Sequence, residues 1–200
     1  MKKLLLFTLL AALSLMASAQ EIRDIQTGVG LYKDGHAMVV QQWDITVTEG
    51  TEWYIPISNT GKSEITDFRV FENDEEFLNE GYSWKSNRSI AEKAQHCGIV
   101  KKGGGDIELC WGLGSMGDHV FTIYYRIENL VLDYGEECDG FHWHFLNDEW
   151  SVKPKHASIV FFNDTEGDQW YWNDEQDNNV RFWGFGMVGE SGLEDGAIYL

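Results

Sequence analysis

The chain has 200 residues, of which 43% are hydrophobic and 14% aromatic, and it carries a formal net charge of -18. This composition is that of a folded protein and not of a disordered chain. The negative charge repels the phosphates of nucleic acids and of anionic lipid headgroups, so it excludes a DNA- or RNA-binding role.

The first twenty residues have the three parts of a secretory signal peptide. Lys2 and Lys3 supply the positive start, an apolar run at 4–16 is too short to span a bilayer, and the A-S-A sequence at 17–19 offers the small residues that a signal peptidase needs. We expect cleavage before Gln20, so that 1–19 is the signal peptide. The mature protein is then extracytoplasmic, in the periplasm or cell envelope, where disulfides can form.

From residue 20 onward the pattern is that of β-strands separated by Gly, Asn and Asp turns. One short helical turn is predicted at 89–95. The predicted strands, in chain order, are 25–32, 37–48, 53–58, 65–72, 96–102, 106–112, 119–129, 141–146, 156–162, 169–173, 180–185 and 197–200. Short strands at this spacing predict a single all-β domain over 20–200, an antiparallel β-sandwich of about ten strands with an immunoglobulin-like or jelly-roll-like arrangement.

Local features refine these strands. Asp34-Gly35 predicts a hairpin between the first two strands. Pro56 predicts an edge strand or a bulge, because proline cannot donate to the ladder. In the second strand Val40 lies on the face opposite Trp43, so we expect part of this strand to be covered on both sides.

Three cysteines in an exported chain predict one disulfide and one free thiol. A two-residue turn at 103–104 would place Cys97 directly opposite Cys110, within bridging range. A three-residue turn would instead place Cys97 opposite Trp111, leaving the bridge strained or absent. The prediction is a Cys97–Cys110 disulfide. Cys138 is then free or paired between molecules, and its acidic neighbours suppress the thiolate that a nucleophile requires.

Two segments contain residue types that bind metals. His142 and His144 would share one face of a strand near Asp139, as transition-metal ligands must. No second ligand cluster is evident, so a solvated strand face is the favoured interpretation. Residues 163–168 are rich in the oxygen ligands that calcium takes, but their spacing is not that of an EF-hand and Asx-rich turns look the same. We predict no metal site and no cofactor.

The sequence contains no recognised catalytic motif. G-x-S-x-G, H-E-x-x-H and P-loop patterns are absent, and with 33 acidic residues a pair of carboxylates arises by chance. A hydrolase therefore ranks last, and we predict that the protein is not an enzyme. Trp170 and Trp172 alternate on one strand and Trp183 follows across an acidic turn. Sugar-binding faces use such rings, but a tryptophan-filled core does too and is the favoured interpretation.

Several motifs occur in a familiar order. K-D-G at 33–35 is followed by M-V-V at 38–40, W-Y-I-P at 53–56, I-T-D-F-R-V at 65–70, F-T-I-Y-Y at 121–125 and F-H-W-H-F at 141–145. Asn147 and Trp150 then precede the strand at 158–162. In this order the motifs resemble the extracytoplasmic N-terminal domain of the DUF2207 family of predicted bacterial membrane proteins.

The resemblance implies a domain of unknown function, so it transfers no catalytic residues. Members of the family usually carry transmembrane helices after this domain, and this chain ends at Leu200 within a predicted strand. Either the protein stops at an edge strand, or this is the front part of a longer protein. Many members have glutamate in the second strand where this chain has Gln41 and Gln42, which argues against a shared acidic site.

Taken together, the sequence predicts an extracytoplasmic β-sandwich with a structural or protein-interaction role in the bacterial cell envelope. The expected partner is an envelope protein or a glycan, and the membrane is reached only through a segment absent from this chain. The alternative is a carbohydrate-binding module that uses Trp170, Trp172 and Trp183 as exposed rings.

Overall fold

The computed structural model describes residues 20–135, 138–146, 150, 152–163, 189–194 and 197–199. Within these residues the chain forms fourteen strands, one α-helical turn, α1 (Ile90–Lys93), and two 3-10 turns at Gly81–Ser83 and Gly103–Gly105. The strands are β1 (Glu21–Leu31), β2 (Ala37–Val47), β3 (Glu52–Ile57), β4 (Glu64–Glu72), β5 (Glu75–Glu76), β6 (Leu78–Asn79), β7 (His96–Lys101), β8 (Ile107–Gly112), β9 (Gly117–Glu128), β10 (Leu132–Asp133), β11 (Asp139–Gly140), β12 (Pro154–Asn163), β13 (Gly192–Glu194) and β14 (Ala197–Tyr199).

The strands form two main sheets that pack face to face. The large sheet has the order β13–β14–β12–β1–β2–β9–β4–β5, the small sheet has the order β3–β8–β7–β6, and β10–β11 is a separate ribbon. Trp43 of β2 makes edge-on contacts with Trp53 of β3 and Trp111 of β8, with ring centroids 6.4 and 5.8 Å apart. The predicted all-β sandwich is confirmed, although the pairs β1–β12 and β6–β7 are parallel.

Alternation of apolar residues explains the long central strands. Every second residue of β2 from Ala37 to Val47 is buried, as a strand with one face on the core requires. The predicted hairpin between β1 and β2 is confirmed, with Gly35 at φ 84° in its turn. Pro56 lies in β3, which is an edge strand of the small sheet, as predicted.

A β-bulge accounts for a break in the alternation of β4. The register moves three residues along β4, from Thr66 to Arg69, while it moves two along β9. The bulge contains Asp67, whose φ of 50° is a left-handed conformation that aspartate tolerates. Ile65 and Phe68 are therefore both buried although three positions separate them.

The segment 141–146 is not a strand, contrary to the prediction. Within the described residues its backbone joins neither sheet, yet its side chains still alternate. Phe145 is buried against Phe161 of β12, with ring centroids 5.4 Å apart, whereas His142 and His144 are exposed. The alternating burial of side chains therefore gives this segment the sequence pattern of a strand, although its backbone has no hydrogen-bonded neighbouring strand.

Some predictions fall outside the described residues. These are the signal peptide at 1–19 and the strands at 169–173 and 180–185. Across the described ranges, no helix combines the length and the apolar character that crossing a membrane requires.

Candidate functional site

A row of register neighbours crosses five strands on the side of the large sheet that faces away from the small sheet. It runs from Val160 of β12 through Gly28 of β1, Val40 of β2 and Tyr124 of β9 to Arg69 of β4. Val160 is 37% exposed and Tyr124 is 36% exposed. Large apolar side chains on a surface sheet face are informative because they lie where polar residues usually do.

The residues around this row complete a continuous apolar surface. A Cβ added at Gly28 would lie 3.1 Å from Val40 Cγ1 and 3.5 Å from Phe162 Cε1, so both side chains lean over the glycine. Phe71 of β4 packs edge-on against Tyr124 at 5.5 Å. We define the apolar face by its five members, Val40, Phe71, Tyr124, Val160 and Phe162.

Charged residues lie on the same sheet beside the apolar face, and most are acidic. Arg23 forms ion pairs with Asp44 and, at 2.8 Å, with Asp118. Burial alone would raise the pKa of Asp24, but hydrogen bonds from His156 and Gln26 outweigh it and lower that pKa. On the other side of the face, Arg69 pairs with Glu76 and Arg126 pairs with Glu128. Carboxylates therefore outnumber guanidiniums around the apolar face, and its border is negative at neutral pH.

The opposite side of the molecule carries a buried ion pair. Lys93 is fully buried, and its Nζ lies 2.9 Å from Glu52 Oε2, 2.7 Å from Thr51 Oγ1 and 2.6 Å from the Ser86 carbonyl oxygen. Trp84 Nε1 donates to the same Glu52 oxygen at 2.9 Å. Each donor on this lysine has an acceptor, so the cluster attaches the segment before β7 to the edge strand β3.

Two glycines let this segment approach the small sheet closely. A Cβ at Gly112 would lie 1.9 Å from the Lys93 carbonyl oxygen, and a Cβ at Gly98 would lie 2.9 Å from Trp84 Cβ. A neighbouring pair holds the start of the segment, since Arg88 donates to both Glu80 oxygens at 2.7 and 2.9 Å. These hydrogen bonds lower the pKa of Glu80. These contacts hold the segment before β7 against the small sheet, so we interpret them as structural.

Gln41 occupies the strand where the family resemblance leads us to expect a glutamate. Its side chain is buried; Nε2 donates to Thr27 Oγ1 at 3.2 Å and to the Phe145 carbonyl at 3.0 Å, and Oε1 accepts from Trp43 Nε1 at 3.2 Å. A carboxylate could not make the two donations. The position is therefore structural in this chain.

A shallow depression lies between the β3–β4 turn and the glycine turn before β8. It measures about 240 Å³ and is lined in part by Thr60, Ser63, Tyr82 and Lys101. Lys101 Nζ sits 4.3 Å from the Tyr82 ring centroid, so this ring already has a cationic partner. An adjoining depression of about 380 Å³, lined in part by Asn59, Gly61 and Gly104, is open to solvent, so neither is an enclosed pocket.

The predicted Cys97–Cys110 disulfide is wrong, because the glycine turn has three residues and the disulfide requires a turn of two. The turn spans Gly103–Gly105, so Cys97 lies opposite Trp111 and Cys110 lies opposite Gly98. Adjacent strand positions point to opposite faces, which puts the two thiols on opposite sides of the small sheet. Both thiols are free and buried. Burial raises the pKa of the Cys97 thiol to about 12 and also raises that of Cys110.

The other predicted site residues are partly described. Cys138 is a free, exposed thiol, and Asp139 is exposed in β11. His142 and His144 do point the same way, with ring centroids 5.4 Å apart. Trp170, Trp172 and Trp183 lie outside the described residues, as does the 163–168 segment after Asn163.

Sequence reasoning missed the apolar face, although one signal was present. Val40 breaks the alternation of β2, and it was expected to be covered on its second face. The register that places Val160 and Tyr124 in the same row comes from strands far apart in the sequence. Only the sheet order brings these residues together.

The model of the DUF2207 predicted membrane protein N-terminal domain matches residues 18–196. No curated protein matches the chain in sequence. Among solved structures, one similar chain is that of a proposed protease from Parabacteroides distasonis, with 12% sequence identity and a TM-score of 0.36.

That comparison covers 90% of this chain and 34% of the other, so the chain spans about a third of that protein's length. Similarity at this level establishes neither a common fold nor a common activity. The family match, in contrast, extends over most of the sequence and includes the motifs from K-D-G at 33–35 onward. The chain belongs to the DUF2207 family and corresponds to its N-terminal domain.

Proposed function

We infer that this domain is an extracytoplasmic interaction module of the bacterial cell envelope and that it binds a protein partner through the apolar face. The observation that carries the proposal is the exposure of Tyr124, Val160 and Phe162, each more than a third exposed, in one continuous surface. Contiguous apolar surface is costly in water and commonly marks a protein interface. Tyrosine and phenylalanine are also enriched in such interfaces.

Charge indicates what kind of partner fits. The chain has a net charge of -18, and Asp24, Asp44 and Asp118 lie on the same sheet as the apolar face. An apolar patch with a negative border is complementary to an apolar patch with lysine or arginine around it. The proposed occupant is therefore a folded envelope protein with a basic rim.

The extracytoplasmic location rests on the sequence. The positive start, the apolar run at 4–16 and the A-S-A sequence at 17–19 direct export, with Gln20 as the first residue of the mature chain. Intact mass of the protein recovered from the envelope fraction tests this. A mass that begins at Gln20 is the expected result, and a cytoplasmic protein that retains Met1 would refute it.

The interaction is tested by crosslinking in the cells that produce the protein. A photoreactive benzoylphenylalanine replaces Tyr124 or Phe162 on the apolar face, and Tyr54 or Tyr82 as matched controls. The controls are equally accessible aromatic positions, 42% and 55% exposed, on other surfaces. We expect one adduct of defined mass from the first pair, with the crosslinked peptide of the partner next to lysine or arginine residues.

Two results would contradict the proposal. One is the absence of adducts at Tyr124 and Phe162, and the other is the same set of adducts from all four positions. A second measurement uses Phe162→Ser, which keeps the fold but removes apolar contact. If the apolar face binds the partner, this change weakens the interaction by about tenfold or more.

The carbohydrate-binding alternative has less support. All six tryptophans in the described residues are buried or half-buried, and Trp43 and Trp111 are fully buried. In this part of the chain, tryptophan fills the core. Glycan binding on an array that is lost in Trp170→Ala and kept in Phe162→Ser would favour the sugar-binding function over the proposed one.

A further inference from the structure

Two exposed imidazoles stand side by side between β11 and β12. His142 and His144 are two residues apart, both are exposed, and their ring centroids are separated by 5.4 Å with an interplanar angle of 67°. The other four histidines differ, because each has a carboxylate beside its ring. This pair has another imidazole as its neighbour instead.

The separation of the rings matches that of two ligands on one metal ion. A bond of about 2.0–2.1 Å from an imidazole nitrogen to zinc places the ring centroid about 3.2 Å from the ion. Two such rings at the tetrahedral angle have centroids about 5.2 Å apart. The observed centroid separation of 5.4 Å is close to this value.

The backbone between these histidines and their flanks is held by packing. Phe141 and Phe145 point inward and contact Phe161 of β12, with ring centroids 5.7 and 5.4 Å apart. The Phe145 carbonyl also accepts a hydrogen bond from buried Gln41. Because alternate residues are anchored, His142 and His144 are presented to solvent in a fixed relation, which lowers the entropic cost of joint binding.

The surroundings attract cations. Five acidic residues lie within six positions of the pair in the sequence: Glu136, Glu137, Asp139, Asp148 and Glu149. Together with the net charge of the chain they raise the local concentration of cations. Among the described residues, no group of three or more His, Cys, Asp or Glu side chains could hold a metal, so no third described side chain joins the pair.

We propose that His142 and His144 form a two-histidine binding site for a divalent transition-metal ion, with water at the remaining coordination positions. Imidazole is a ligand for copper, nickel and zinc, and the order of affinities predicts that Cu²⁺ binds most tightly. Hard cations such as Mg²⁺ and Ca²⁺ prefer oxygen and do not compete.

Calorimetric titration of the full chain with Cu²⁺, Ni²⁺ and Zn²⁺ tests the proposal. The variants are His142→Asn, His144→Asn and the double change, with His156→Asn as the control, since His156 is exposed but paired with Asp24. Cys138→Ser removes the nearby thiol. Because the second imidazole binds within the same chelate, each single change should weaken binding about 100-fold. The control and Cys138→Ser should bind as the unmodified protein does.

Three results would overturn the site. These are no binding of any of the three ions, unchanged binding in the double variant, and loss of binding in Cys138→Ser alone. Both histidines are on the surface, so the variants should keep their melting temperature, which circular dichroism checks. Proton NMR gives an independent readout, because Zn²⁺ should shift the ring signals of these two histidines and leave those of His156 in place.

Discussion

Replacing Lys93 with methionine removes the cation of the buried ion pair and keeps most of the side-chain volume. Glu52 is then left without its cationic partner, and Thr51 Oγ1 and the Ser86 carbonyl lose a donor. Loss of one member of a buried pair costs about 3–5 kcal/mol. Because the Glu52 side chain is 20% exposed and so partly solvated, we expect the lower end, about 3 kcal/mol.

The free energy of unfolding is measured by urea titration, followed by tryptophan fluorescence and extrapolated linearly to water. For a chain of this size, 3 kcal/mol corresponds to a fall in Tm of about 6–12 °C. Lys155→Met is the matched control, since Lys155 pairs with Glu21 at 2.6 Å but is 67% exposed. This exposed pair should contribute less than about 1 kcal/mol.

A double variant separates the charge from the packing. Lys93→Met with Glu52→Gln leaves no unpaired charge, and the amide oxygen can still accept from Trp84 Nε1. We expect it to regain part of the loss, with a coupling energy of about 1–3 kcal/mol. The reasoning is refuted if Lys93→Met costs no more than Lys155→Met, because the pair would then contribute no more than a surface pair.

Three further predictions concern glycine, thiol and carboxylate chemistry. Gly112→Ala places a methyl group 1.9 Å from a backbone carbonyl oxygen and should destabilise the protein by at least about 1–3 kcal/mol in the same urea assay, whereas Gly103→Ala has open space and should be neutral. Iodoacetamide should modify Cys138 alone in the native protein and three cysteines after unfolding, as read by intact mass. Stability should fall in acid, because the pKa of Glu80 is lowered in the folded state by its hydrogen bonds with Arg88. That contribution to the free energy of unfolding is present above the unfolded pKa of about 4.3 and is lost as the pH falls through the folded pKa. The urea midpoint of Glu80→Gln should therefore change less between pH 7 and pH 3 than that of the unmodified protein.

Each of these has a clear contrary result. Equal stability of the Gly112→Ala and Gly103→Ala variants would mean that the helical turn does not lie on the small sheet. A single adduct after unfolding, together with a mass 2 Da lower, would mean that two cysteines form a disulfide. An acid profile that is unchanged in Glu80→Gln would mean that this carboxylate contributes nothing through its pairing.

The sequence by itself located the longer strands and most of their ends, but it also predicted a strand at 141–146 and missed the short strands β5, β6, β10, β11 and β13. Alternation at every second residue located β2 within one residue of its observed end, because a strand with one buried face has that period. The turn at Gly35 and the edge position of Pro56 were predictable as well, since both follow from backbone chemistry that acts locally. The bulge of β4 was not predicted, although Ile65 and Phe68 are three positions apart and so break the period of two.

The tertiary structure alone decided how distant segments meet. One extra residue in the turn at Gly103–Gly105 moved Cys97 and Cys110 to opposite faces, because a register shift of one residue reverses every side chain of a strand. The sequence allowed both registers, and the shorter turn that was predicted is not the one that the protein forms. The choice depends on how the small sheet packs.

Burial of Lys93 and exposure of Tyr124 follow the same logic. A lysine is ordinarily exposed, so local rules place Lys93 wrongly. The alternation of β9 does turn Tyr124 away from the core, but it does not show which residues lie beside it. Lys93 is buried where the segment before β7 packs on β3 and β8. The order β12–β1–β2–β9–β4 assembles the apolar face from strands more than a hundred residues apart. Such contacts depend on the whole chain, because their partners are set by sheet order and not by neighbouring residues.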